Sequence, residues 1–177
     1  MTDFPCIIKT QRLILRALGA DDAGRLFNLI DSNRAFIERF LDWPDYIQTV
    51  IDEEKYIESR LIVAANKMGF DWVIETPNGD TVGYIGTDPV TMELGKQKID
   101  IDFKNKTISF AFFINPKFSG NGYMTEALGA LIGVARGLGF RRVEIHAEPE
   151  NKKSIAVAMR CGMTSSDEDD GACFINF

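Results

Sequence analysis

Hydrophobic and polar residues alternate in Arg12-Leu13-Ile14-Leu15-Arg16, and this period of two predicts a strand closing the first 16 residues. The period then lengthens. Ala23, Leu26, Phe27 and Ile30 share one helical face behind Asp21 and Asp22, whose charges suit the amide end of a helix. Asn33 is placed to cap a second helix with Phe36, Ile37, Phe40 and Leu41 inward. Leu41-Asp42-Trp43-Pro44-Asp45-Tyr46 ends that helix, because proline disfavours helix at the residue before it. A longer helix is predicted over 52–68, with Ile57, Leu61, Ala64 and Met68 on one face.

The middle of the chain returns to a period of two. Phe70, Trp72 and Ile74 alternate with Asp71, Val73 and Glu75, and Asn78-Gly79 suits the positive φ angles of a tight hairpin. Val82, Tyr84 and Gly86 continue on the return strand, 88–98 read as a loop or insertion, and Ile99, Ile101 and Phe103 alternate again. After a turn at 104–106, a strand over 107–114 carries Ile108, Phe110, Phe112 and Ile114 on one face. The last third reads as loop 115–121, helix 122–137, strand 142–147, helix 151–161, acidic turn 165–171 and a final strand over 172–177. Met124, Leu128, Leu131 and Ala135 form the buried stripe of the first of these helices. Its Gly129 and Gly133 lower helix propensity by about 1 kcal/mol each, which points to close packing on a sheet. The order predicts an α/β (α+β) fold, with a mixed central sheet and helices on both faces.

Composition narrows the function. The 177 residues make one domain over 1–177; 45% are hydrophobic and 26% charged, as in a soluble globular chain. No apolar run approaches the length of a membrane span, and Met1-Thr2-Asp3-Phe4-Pro5 lacks the pattern of a signal peptide, so a cytoplasmic protein is expected. Cys6, Cys161 and Cys173 have no metal-ligand spacing and read as thiols, and the one histidine, His146, excludes a His-rich metal site. The net charge of −6 argues against nucleic acid as the main partner and fits an amine-bearing one.

Two passages carry candidate chemistry. Ile114 to Ala127 reads as a strand, a loop with Gly120 and Gly122, then a helix start, where free amides and the helix dipole attract an anion such as a pyrophosphate. The alternative is that the glycines only turn the chain. The loop is neither a Walker loop nor a dinucleotide fingerprint. In the second passage, Glu148-Pro149-Glu150-Asn151-Lys152-Lys153-Ser154, Asn151 is a natural helix cap with Ser154 three residues on. Both either cap the helix or also face a ligand held by the preceding helix start.

Together these passages resemble the GCN5-related N-acetyltransferase (GNAT) superfamily. Its Gln/Arg-x-x-Gly-x-Gly/Ala signature is similar to Ser119-Gly120-Asn121-Gly122-Tyr123-Met124, where Gly122 matches and Ser119 and Met124 depart. Further support lies in Thr125-Glu126-Ala127-Leu128, Gly139 to Glu144, Pro149 to Ser154 and Cys161-Gly162-Met163. The opening Thr10 to Arg16 and the Asn33–Asp45 region with its Trp-Pro pair are similar to the RimJ/RimL branch.

The resemblance implies acetyl-CoA as co-substrate, lying in a V-shaped split between two parallel strands, 107–114 and 142–147. Phe112, Phe113 and Ile114 are then expected to hydrogen-bond the pantetheine arm, and Ser119, Gly120, Asn121, Gly122, Tyr123, Met124 and Thr125 to hold the pyrophosphate. Asn151 and Ser154 fall near the arm and thiol, while Trp43 and Tyr46 border the acceptor, unless Trp43 is a core residue anchoring two helices. The family's tyrosine acid corresponds to Ala158, which leaves Ser154 to assist the departing sulfur. Ser109 stands where relatives have a glutamate base. His146 is either a base acting through water or a surface strand residue, and Glu148 is the weaker alternative.

Only 14 residues follow Met163, so the family's C-terminal hairpin is expected to be shortened, by as much as one strand. The acidic run Asp167-Glu168-Asp169-Asp170 reads as a solvated turn or as a lip attracting an amine. The activity implied is direct acetyl transfer to an amine-bearing acceptor, above all a protein N-terminus of the ribosomal-protein type. The alternatives are a small amine (polyamine or aminoglycoside) and a catalytically silent acyl-CoA-binding module. No nucleic-acid or membrane partner is expected, and the chain is a monomer or homodimer.

Overall fold

A computed structural model describes residues 4–87, 101–102 (backbone only), 105–165 and 171–177. The expectations for 88–98, for Ile99 and Phe103, and for the acidic run 167–170 lie outside the described residues. The strands are β1 (Ile7–Lys9), β2 (Ile14–Ala17), β3 (Asp71–Glu75), β4 (Thr81–Thr87), β5 (Ile101–Asp102), β6 (Thr107–Ile114), β7 (Arg142–His146), β8 (Thr164–Ser165) and β9 (Ala172–Asn176). The helices are α1 (Ala23–Ser32), α2 (Arg34–Ile37), α3 (Val50–Ala65), α4 (Tyr123–Gly137) and α5 (Lys152–Arg160). The sheet runs β1-β2-β3-β4-β6-β7-β9-β8, with β5 pairing the start of β6. Among the described residues no helix is long and apolar enough to cross a membrane.

Among the described residues one pair in the sheet is parallel, and it is short. β6 meets β7 at Thr107↔Arg142, Ile108↔Val143 and Ser109↔Glu144 and then leaves it. From Phe110 to Ile114 the strand stays paired with β4, while Ile145 and His146 pair with β9. The two strands diverge from Ser109, and the sheet opens as a V. Buried Ser109 sits at the vertex, its hydroxyl donating to the Glu144 carbonyl at 3.4 Å.

Alternation along the strands sorts side chains onto two faces. Trp72, Ile74, Ile108 and Phe110 pack with Met124, Leu128, Leu131 and Ala135 of α4 and Ala158 of α5. Val73, Tyr84 and Phe113 face the other way, onto Ala23 and Leu26 of α1 and Ile57 of α3. The expected α4 stripe is therefore the buried one. Its glycines are not part of it: Gly129 and Gly133 are exposed, and a Cβ at either would meet open space. Tight packing of α4 rests on Ala127 and Ala135 instead, both fully buried.

Other expectations are corrected. Asn33 stands at the N-cap of α2 but makes no side-chain cap there; its side-chain amide instead donates to the Leu29 carbonyl at 2.8 Å and closes α1. Ile37 is the buried residue of α2, whereas Phe36 is 40% exposed. α3 starts earlier than the pattern suggests, because Thr49 and Asp52 form a capping box. It buries Glu53 and Arg60 beside Ile57 and Val63, a face the hydrophobic pattern could not mark. Arg60 is accommodated by the Asp71 carboxylate at 2.9 Å, which also accepts from the Tyr84 hydroxyl. The C-terminal hairpin lacks no strand: β8 pairs β9 at Thr164↔Phe174 and Ser165↔Cys173, shortened to two residues. Cys6, Cys161 and Cys173 are free thiols.

Candidate active site in the split of the sheet

The V opens into a cleft of about 1350 Å³. Phe112–Ile114 of β6, the loop and helix start Ser119–Thr125, His146 at the end of β7, and Asn151 and Ser154 at the start of α5 all line it. These are the residues that the sequence assigned to cofactor and chemistry, and the fold brings them together. Trp43 and Tyr46 are not on its wall. Trp43 packs against Phe113 at 5.5 Å between ring centres, in a cluster with Ile30, Ile37 and Ile47, so it lies behind the cleft-lining Ile37, Leu41 and Phe113. Tyr46 is 73% exposed.

The glycine loop is held at both ends. The Asn115 amide donates to Val82 at 2.8 Å and its side chain accepts from the Lys117 amide at 3.1 Å. Gly120 and Gly122 adopt φ of 83° and 77°, the left-handed region that favours glycine. Gly122 is the N-cap of α4, so the first amides of the helix have no helical acceptor, and their residues line the cleft. Glu126 lies in that turn, where its charge would oppose an incoming anion. It is engaged elsewhere: Oε1 accepts from the Thr10 hydroxyl at 2.6 Å and the Arg12 amide at 2.8 Å, and Oε2 from Arg12 Nε at 2.7 Å. Burial pushes the Glu126 carboxyl up, but these hydrogen bonds outweigh it and hold it below its ordinary value. Arg12 also donates to the Asn121 carbonyl at 3.0 Å and lies over the Tyr123 ring. The segment between β1 and β2 thus clamps the loop.

On the facing helix, Asn151 Oδ1 accepts from the Ser154 amide at 3.2 Å, so its oxygen serves the cap. Ser154 is half-buried. Ala158 is fully buried in the core and contributes nothing to the wall, while Val157 does. Exposed His146 has Nε2 3.4 Å from Glu144 Oε2. Gly171 closes the far rim: its φ is 118°, and a Cβ there would collide with the Ala147 carbonyl.

Sequence reasoning missed two features. The first is the Arg12–Glu126 clamp, whose two ends lie in separate motifs 114 residues apart. The second is the charge of the wall. Among the described residues Arg39, Lys152, Lys153 and Arg160 line the cleft against one carboxylate, Glu148. Arg160 Nε donates to the Thr125 hydroxyl at 3.2 Å, which sets a cation beside the amide end of α4.

Fold and cleft define an acyl-CoA type of transferase, and comparison with known proteins identifies it. Residues 12–164 match the family model described as acetyltransferase (GNAT) domain, so the chain belongs to the GNAT acetyltransferase family. It is an acetyl-CoA-dependent N-acetyltransferase, and it is similar to acetyltransferases of the RimJ/RimL type. A curated relative, the ribosomal-protein-serine acetyltransferase of Escherichia coli K12, is 24% identical over 154 residues, covering 86% of this chain and 79% of its own. The fold is shared with the microcin C7 self-immunity acetyltransferase MccE, solved with acetyl-CoA and AMP (TM-score 0.82, 23% identity, 98% of both chains). It is shared too with RimL, a ribosomal L7/L12 α-N-protein acetyltransferase solved with coenzyme A (TM-score 0.80, 22% identity, 97% and 98% of the chains).

Proposed function

We propose that the chain transfers the acetyl group of acetyl-CoA to the α-amine of a protein N-terminus, of the ribosomal-protein type, in the cytoplasm. The observation that carries this reading is the cation-rich cleft wall. Transfer needs a neutral amine to attack the thioester carbonyl, and nearby cations disfavour the ammonium form. An α-amine, with an ordinary pKa of about 7.7–8.0, loses its proton there far more readily than a lysine-type amine at about 10.4. A polyamine would add charge to a wall that is already positive. The curated relative's activity on ribosomal-protein serine supports the same choice.

In this reading the amides of Ser119 to Thr125, with Arg160, hold the pyrophosphate, and the β6 edge at Phe112–Ile114 holds the pantetheine arm as an added strand would be held. Ser154 donates to the sulfur as it departs, directly or through water, and His146, on the cleft wall, relays the amine proton to solvent. Trp43 acts on the acceptor through the cleft-lining side chains it is clustered with, Phe113 among them. Buried Ala158, in place of a tyrosine acid, favours the second reading of a silent acyl-CoA-binding module.

The test is thiol release from acetyl-CoA with a panel of N-terminal peptides, free lysine side-chain amines, spermidine and an aminoglycoside. Peptides blocked at the α-amine serve as controls. Turnover confined to free α-amines is expected. Preference for spermidine or the aminoglycoside overturns the N-terminal assignment, and tight acetyl-CoA binding without any turnover establishes the silent module.

A further inference from the structure

The cleft passes through the sheet and has a wall on each face. The glycine loop and α5 approach from the α4–α5 face, where Met124 and Ala158 are packed. α2 approaches from the opposite face, since Ile37 packs with Ile30 and Ile47 against Phe113 and Trp43. Phe36, Arg39, Phe40 and Leu41 line the cleft from that second side. If the cofactor's phosphates occupy the α4 side, the acceptor enters past α2.

That entrance carries a particular chemistry. The Arg39 guanidinium lies 5.2 Å from the Phe40 ring, and the Lys153 ammonium reaches across from α5 to 5.6 Å from Phe36. Glu38, the carboxylate next in sequence, is paired with Arg34 at 3.5 Å and is absent from the wall. Two aromatic rings and two cations therefore frame the entrance, although the chain as a whole is acidic.

We propose that Phe36, Arg39, Phe40 and Lys153 form a selectivity rim for acidic peptides: N-termini whose reacting residue is followed within the next few positions by aspartate or glutamate. The proposal rests on the N-terminal reading of the site and adds the sequence class of the acceptor. The downstream carboxylates pair with Arg39 and Lys153 while the peptide backbone crosses the two rings. A basic segment is repelled at the same place, which makes the rim a filter by rejection as well as by attraction.

The test uses three serine-initiated hexapeptides of equal length, with acidic, amide or basic residues at the second to fourth positions. Each is assayed at low salt with the intact chain and with Arg39→Glu and Lys153→Glu, singly and together. Acetyl-CoA affinity is measured by calorimetry without acceptor. In the unsubstituted chain, kcat/KM at least about 10-fold higher for the acidic than for the amide peptide is expected. The basic peptide should be poorest, and the double variant should reverse the order at unchanged acetyl-CoA affinity. Equal rates for all three peptides overturn the rim while leaving N-terminal transfer standing. A variant effect confined to acetyl-CoA affinity overturns it too, because the cations then serve the cofactor. Intact acetyl-CoA binding with no turnover of any peptide overturns both the rim and the reading beneath it.

Discussion

Gly122 shows how one backbone angle builds a binding surface. At φ 77° it turns the chain from the loop into α4, whose first-turn residues line the cleft with amides that lack a helical acceptor. A β-branched residue is strained in that region, whatever the space around it. Gly122→Val should therefore weaken acetyl-CoA binding by about 1–3 kcal/mol, the cost of leaving polar groups unsatisfied. Calorimetry checks this on a variant shown to be folded by thermal unfolding, and unchanged affinity would remove the loop from the cofactor site. Ser154 is a different case, because its hydroxyl is asked to act only as thiolate charge develops. Ser154→Ala should lower kcat by up to about 100-fold with little change in acetyl-CoA binding. A kcat within about threefold of the unsubstituted chain leaves Ser154 a capping neighbour of Asn151. The sequence made both residues legible because each stands at a helix start marked by glycine or asparagine. It did not make Arg12 legible, since nothing local to Thr10-Gln11-Arg12 announces a partner on α4.

Elements are legible where periodicity follows burial, and α4 and α3 show the limits of that rule. The α4 stripe was readable from 3.6-residue spacing, but the propensity cost of Gly129 and Gly133 says nothing about which face they occupy. Because both are exposed with open space around them, alanine should stabilise the helix. A gain of about 0.5–1 kcal/mol for each of Gly129→Ala and Gly133→Ala, read by denaturant unfolding, is expected. No gain would mean that this face is covered. In α3 the buried face includes charged residues whose compensation comes from β3 and β4, so no pattern within the helix reveals it. Arg60 has Asp71, but Glu53 is buried and its Oε2 is the one side-chain oxygen among the described residues recorded as buried without a partner. Burial pushes its carboxyl up to about 7 from an ordinary 4.5. Between those values the folded state holds a proton that the unfolded chain has lost, so stability falls as pH rises from about 4.5 to about 7 and stays reduced above. Glu53→Gln should raise stability at pH 8, by roughly 1–3 kcal/mol, with the gain fading towards pH 4. A pH-independent difference in melting temperature would show that Glu53 does not titrate in this way.

At the scale of the whole molecule, the strand–helix order predicted the mixed sheet, and the two glycine- and asparagine-marked helix starts both line the cleft. The short parallel contact of three residue pairs was not readable from pattern, because β6 is uniformly strand-like and the point where it leaves β7 is set by packing on β4. Net charge does not describe the cleft at this scale. The chain carries −6, whereas among the described residues the cleft gathers Arg39, Lys152, Lys153 and Arg160. A local positive field inside an acidic molecule has a measurable signature. Low salt lets the cleft attract an anionic cofactor over about 10 Å, the screening length near 0.1 M, while at 1 M that reach falls to about 3 Å. Lys152 and Arg160 flank the glycine loop and the start of α5, so they should dominate this effect. The rate of acetyl-CoA association, followed by stopped flow, is expected to fall several-fold between 0.05 and 0.5 M salt, the sense set by attraction. Lys152→Gln with Arg160→Gln should flatten the dependence. If the overall charge governed the encounter instead, salt would relieve repulsion and association would quicken, so the sign of the slope decides which charges the cofactor meets.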